Sequence, residues 1–418
     1  MNRLILAAAS VATLAGLSSL PADAASSVLI RNATVHTMTS AGTLQGADVL
    51  ITDGVITQVG ANLSAPQAEV IDAQGRPLTP GLFGGLTHLG IEEISFDPTS
   101  EDYALTLGSM RPDFDVTKAF NPDSTTLGVN RLGGITFAAV IPSAAPGGTI
   151  IAGEGSIFRL DGQGTHSRIL FVDIGGDSNA LSGGSRAGQF MLLRQAILEA
   201  RTPGIVVEGD QRVLTPTGRQ VLREFLDGAG LFVFDVDRAA DIRQVLALAQ
   251  KEKLRIAIAG AAEAWRVASE LAAAKVPVLI DPLENLPDSF DSIGSTLENA
   301  ARLHEAGVPV AFTLAGTDPH NIRKLRQTAG NAVAHGLPWD AALAGLTRVP
   351  AEMFAVADRV GTIEGGRRAD LVLWSGDPLE VTTLADRVFI DGALQPDRSR
   401  QTELRDRYVE RIRNGTAR

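Results

Sequence analysis

No cysteine occurs among the 418 residues, which excludes disulfides, thiolate metal sites and a cysteine nucleophile. Any metal ligands must come from carboxylates and from six histidines, so each histidine matters individually. Positive charge is also short. The 37 basic residues face 48 acidic ones, a formal charge of −11, so the surface as a whole repels nucleic acid and anionic membrane. A small-molecule substrate or ligand is the expected partner, with no nucleic acid. Past the N-terminus no apolar run approaches the roughly 20 residues that a membrane span needs, so no span is expected in the processed chain.

What is present begins with an export signal. Arg3, an apolar stretch from Leu4 to Leu17 and the small-x-small sequence of Ala22, Asp23 and Ala24 have the three parts of a secretory leader. Cleavage is expected before Ala25, with a periplasmic destination.

Residues 27–79 alternate β-branched runs with turn signals, Asp53-Gly54 among them. So small a sheet needs strands from elsewhere to cover a core, and 369–392 has the same character. The pattern between changes to apolar strands followed by helical segments. LFVFDV (231–236), RIAIAG (255–260), VPVLID (276–281) and VPVAFTLAG (308–316) each precede a helical stretch, the alternation of a helix-covered parallel sheet. GGITFAAVIP (133–142), TIIAGEGSIFRL (149–160) and RILFVDIG (168–175) read as further strands, and 97–126 as a long polar loop. Beyond Pro396, seven arginines accompany Leu404, Tyr408 and Ile412 at helical spacing, which predicts a surface helix.

LTPGLFGGLTHLG (78–90) resembles the first barrel strand of the amidohydrolase superfamily, where Pro-Gly leads through an Asp to His-x-His. Pro80, Gly81, His88 and Gly90 match, whereas Gly84 stands in place of the Asp and Leu86 in place of the first His. GTIEGGRRADLVLWSGDPL (361–379) resembles the family's closing motif, and ALAGLTRVPAEMF (342–354) its last helical region. AFNPDSTTLGVNRLGGIT (119–136) and PGGTIIAGEGSIFRLDG (146–162) resemble imidazolonepropionase-like secreted members. The resemblance implies an (α/β)8 TIM barrel with a small composite β-sandwich: leader 1–24, sandwich 25–79 plus 360–396, barrel 80–359 and polar tail 397–418.

It also implies a metal site at the barrel mouth, made by two histidines of strand 1, one each of strands 5 and 6, and an Asp after strand 8. Aligned residue by residue, His88 and Asp318 keep the family's side chains; Asp235 and Gly260 stand where the strand 5 and strand 6 histidines are expected. A tight binuclear zinc centre is not expected from this set, since zinc takes three or four protein ligands. His88, Asp235 and Asp318 could hold one weakly bound, harder divalent ion, with Glu92, Glu93, Asp237 and His320 as conceivable substitutes. His88 and Asp318 are also the candidate catalytic residues.

Plainer duties compete for the same side chains. His88 could donate to a backbone carbonyl, Asp318 could cap the helix starting near Asn321, and Asp235 and Asp237 could be solvated partners of Arg238. Without metal, carboxylates crowded at one mouth raise one another's pKa and become candidates for general acid–base work. Two functions remain open: a hydrolase of C–N bonds other than peptide bonds acting on a small, possibly cyclic amide, or an inactive relative that binds a ligand or partner in the cell envelope.

Overall fold

The computed structural model describes residues 27–202, 204 and 211–414; the leader expected at 1–24 lies outside them. The chain opens with five strands, β1 (Ser27–His36), β2 (Thr43–Thr52), β3 (Val55–Gly60), β4 (Glu69–Asp72) and β5 (Pro77–Pro80). Eight further strands run β6 (Leu82–Thr87), β7 (Ile135–Val140), β8 (Ile151–Arg159), β9 (Ile169–Asp173), β10 (Leu231–Val236), β11 (Ile256–Gly260), β12 (Val278–Ile280) and β13 (Val310–Phe312). They form one sheet in simple chain order. Its first and last strands meet through individual bonds, from the Leu86 amide to Thr313 Oγ1 (3.0 Å) and from the His88 amide to the Thr317 carbonyl (3.0 Å), so the barrel is nearly closed.

Among the described residues the α-helices that alternate with these strands are, in chain order, α1 (Thr125–Arg131), α2 (Arg186–Arg201), α3 (Pro216–Leu226), α4 (Ala239–Glu252), α5 (Ala268–Ala274), α6 (Asn299–Glu305), α7 (Leu325–Ala334), α8 (Trp339–Gly345) and α9 (Arg348–Met353). They accompany the parallel strands. The exception is β8, which pairs antiparallel with both neighbours. A parallel return needs a crossover of a dozen or more residues, and 141–150 contains no helix, so the chain turns straight back as a hairpin.

Alternation along the strands sorts the core into two layers. Phe83, Phe137, Phe171, Val233, Ala257, Leu279 and Ala311 fill the barrel interior, with alanines leaving room for the phenylalanine rings. Leu82, Ile135, Leu170, Phe232, Phe234, Ile258 and Val278 pack outward under the helices. The inward series on β9 is Ile169 and Phe171, and on β10 Leu231 and Val233. Its next members are Asp173 and Asp235, so the sequence places a carboxylate on each strand where the apolar filling ends.

The chain closes with β14 (Leu371–Trp374), β15 (Ala385–Ile390), β16 (Ala393–Leu394) and α10 (Arg400–Arg413). β14 lies antiparallel to β5, giving the sheet order β16-β15-β14-β5-β1-β2-β3, with β4 also on β1. Strands from both ends of the chain thus form one sheet. Irregularities in β1 between Ile30 and Ala33 and between Ala33 and Val35 bend it over a core of Ile30, Val49, Ile56, Leu78, Leu371 and Phe389.

Buried polar contacts seat this sheet on the barrel. Trp374 is fully buried and donates through Nε1 to Thr79 Oγ1 (2.9 Å). Gly134, at φ +84°, approaches its ring so closely that a Cβ there would lie 2.4 Å from it. The buried Arg326 guanidinium donates to the carbonyls of Pro378, Glu380 and Thr383 at 2.7, 2.7 and 2.5 Å. Arg159 of β8 pairs with buried Asp370 (3.2 Å).

Candidate functional site at the barrel mouth

The C-terminal ends of barrel strands carry the chemistry in this architecture, and here they divide into two neighbourhoods. The first surrounds His88, one residue past β6. Its ring is 3% exposed and stacks on Tyr103 at 3.8 Å. Nδ1 lies 3.0 Å from both Glu92 Oε2 and Thr317 Oγ1, and Nε2 lies 2.9 Å from Ser143 Oγ. Burial lowers the imidazole pKa more than the Glu92 bond and charge raise it. The neutral ring then donates from Nδ1 to Glu92 and accepts the Ser143 hydroxyl at Nε2. Glu92 is held below the usual carboxylate range, chiefly by the His88 bond, and also accepts from Ser95 Oγ (2.6 Å).

The second neighbourhood is a set of carboxylates. Asp173 and Asp235 are register partners at the ends of β9 and β10. Burial raises both, and around Asp235 the charges of Asp173, Asp237 and Glu284 add to it, so Asp235 stands well above the ordinary value. Asp237 is pushed up to about 6 and Glu284, after β12, to about 7, in each case mainly by burial. Asp173 accepts a short bond from Ser178, Asp237 Oδ1 accepts the Ala262 amide (3.1 Å), and Glu284 accepts from Ser295 Oγ (3.4 Å).

Among the residues predicted for the site, the structure therefore brings His88 together with Glu92, and Asp235 with Asp237. Asp318 is engaged locally: Oδ1 accepts the His320 amide (2.8 Å) and Oδ2 accepts from Asn321 Nδ2 (2.5 Å), a turn before the helix rather than the cap expected from sequence, since α7 starts at Leu325 and its N-terminus has no side-chain cap. His320 Nε2 lies 2.9 Å from the Glu93 carbonyl. Arg238 pairs with Asp241, at 2.7 and 2.8 Å, rather than with Asp235 or Asp237. Asp173 and Glu284 were missed. Asp173 ends RILFVD as Asp235 ends LFVFD, so the rule that functional groups end barrel strands would have found it; Glu284 stands on an irregular loop and had no such signal.

Residues 233–398 match the Amidohydrolase family. The imidazolonepropionase of Mesorhizobium japonicum is 25% identical over 394 residues, covering 82% of this chain and 91% of that protein. Amidohydrolase tasK of Hapsidospora irregularis is 22% identical over 84% of this chain, which spans 40% of its length. The solved amidohydrolase of Thermotoga maritima MSB8 superposes with a TM-score of 0.78 at 25% identity, covering 89% of this chain and 100% of that one. Together these matches support an amidohydrolase-superfamily, imidazolonepropionase-like protein.

Members of this superfamily typically bind a divalent metal such as zinc, and the residues at the corresponding place in this chain do not fit one. Leu86 packs in the barrel interior, and both His88 nitrogens have partners within the protein. Gly260 has φ +71°, and a Cβ there would lie 2.5 Å from Asp237 Oδ1 and 2.8 Å from Asp235 Oδ1. Two carboxylate oxygens thus crowd the place where the family's histidine would begin. Among the described residues no group of three or more His, Asp or Glu is arranged to hold a metal ion.

Proposed function

We propose that this protein hydrolyses a C–N bond, other than a peptide bond, in a small linear or cyclic amide, using carboxylates at the barrel mouth for proton transfer. The observation that carries the reading is the pair Asp235 and Asp237, whose oxygens face one point beside Gly260 and whose proton affinities are both raised. Near neutral pH, Asp237 at about 6 is mostly ionised. Asp235, held well above the ordinary value by burial and by its carboxylate neighbours, binds its proton more tightly than an ordinary aspartate and is the proposed donor. Neighbouring carboxyls of raised pKa can divide the work of base and acid.

Asp237 takes a proton from water as its oxygen attacks the amide carbon. Asp235 then gives its proton to the departing nitrogen, the C–N bond breaks, and the products are a carboxylic acid and an amine. Glu284, at about 7, adds negative charge that favours a substrate with a proton-bearing nitrogen. No step runs through a metal, and any hard divalent ion would be weakly held.

A panel of cyclic and linear small amides tests this, assayed with and without added Zn, Mn and Mg. Turnover that survives a zinc chelator, is abolished by Asp235→Asn, and rises with pH through about 6 supports the proposal. A second reading, ligand binding without turnover, is favoured by the complete engagement of His88; saturable binding with no product from any member would establish it. Export to the periplasm belongs to the same proposal, and an N-terminus at or near Ala25 in the envelope fraction tests it.

A further inference from the structure

Helix α10 stands apart from both cores. It starts firmly, with Ser399 and Thr402 in a reciprocal capping box, yet none of its 14 residues is buried. It meets the body at α1, where Gly128 approaches Arg398 and Ser399 just ahead of the helix. A helix of this length is marginal in water without an apolar face to bury, since isolated helices below about 12–15 residues seldom hold.

The face available is ordered. At about 100° per residue, Leu404, Tyr408 and Ile412 fall on one stripe. Tyr408 is 56% and Ile412 67% exposed. Arg405 borders the stripe on one side and Arg400 and Arg411 on the other, with Arg407 just beyond. All three acids of the helix, Glu403, Asp406 and Glu410, lie toward the opposite side. Arg405 bonds to Asp406 (2.7 Å), and the Arg411 guanidinium sits 5.6 Å from the Tyr408 ring centre. An apolar stripe bordered by cations alone matches a surface that is apolar within and anionic at its edge.

We propose that α10 is a peripheral docking element for an anionic lipid surface, lying in the headgroup plane with Leu404, Tyr408 and Ile412 inserted and the arginines on the phosphates. The low overall apolarity of the helix and its arginine flanks are the features of interfacial helices, and tyrosine suits that depth. A second copy of the chain fits less well, because two such stripes laid together would set arginine flank against arginine flank. The acid-rich body opposes binding only weakly beyond about 8 Å at physiological salt, so the contact is reversible.

The test is co-sedimentation of the chain from residue 25 onward, so that the apolar leader takes no part, with vesicles of equimolar phosphatidylglycerol and phosphatidylcholine or of phosphatidylcholine alone. Binding to the anionic vesicles only, lost at 1 M salt where screening acts within about 3 Å, is expected. Arg400→Gln with Arg407→Gln should weaken it roughly thirtyfold, from about fivefold per arginine, and Ile412→Ser about tenfold. An unchanged far-ultraviolet circular dichroism spectrum would show the variants folded. Equal binding to both vesicles, no binding to either, or a lipid-free dimer that Ile412→Ser dissociates would overturn the proposal, the last by assigning the stripe to a second copy.

Discussion

At Gly260 the backbone has φ +71°, a conformation that costs a side-chain-bearing residue about 1–2 kcal/mol. Gly260→Ala should lower unfolding free energy by at least that amount in a urea titration, because its Cβ also meets Asp235 and Asp237, and Gly260→His should lose no less without gaining a metal. Glu284 gives a prediction with a sign. Its folded value of about 7 lies above the ordinary 4.5, so the folded chain holds this proton more tightly than the unfolded chain does. The corresponding stability is fully present below about pH 4.5 and is lost as pH rises to about 7. Glu284→Gln should flatten that decline, and denaturant midpoints measured from pH 4 to 8 would show it. A variant declining as steeply as the parent would remove Glu284 from the cluster.

Among the elements, the join between barrel and terminal sheet depends on Arg159 of β8 and Asp370 before β14, both under 8% exposed. Burial pushes Asp370 up to about 6 against the pull of Arg159. Removing one member of such a pair leaves an uncompensated buried charge, at a cost of about 3–5 kcal/mol. Arg159 keeps Asp161 (3.3 Å) when Asp370 is replaced, whereas Asp370 is paired with Arg159, so Arg159→Leu should destabilise more than Asp370→Asn, and chemical denaturation of the two variants tests that order. The strand-helix order from LFVFDV onward was legible because apolar alternation and short connections determine it. The reversed strand β8 was not, because a strand's sequence does not state its direction; only the helix-free link 141–150 hinted at it. The mouth was half legible. Asp235 and His88 could be aligned with family positions, but their partners Glu284, Ser143 and Tyr103 come from loops whose paths no periodicity describes.

For the whole molecule, the amidohydrolase scaffold is retained while the side chains that would complete its usual ligand set are replaced by an apolar residue, a glycine and self-satisfied polar groups. Fold alone does not decide function, and the proposed chemistry rests on the carboxylates at the ends of β9 and β10. A bell-shaped pH dependence of kcat/KM, rising through about 6 as Asp237 ionises and falling where Asp235 loses its proton, is the expected kinetic form. The most direct measurement is elemental analysis of protein purified without chelator, paired with turnover before and after a zinc chelator. The account predicts less than one zinc per chain and turnover that the chelator leaves nearly unchanged; two stoichiometric zinc ions, with turnover lost on their removal, would contradict it.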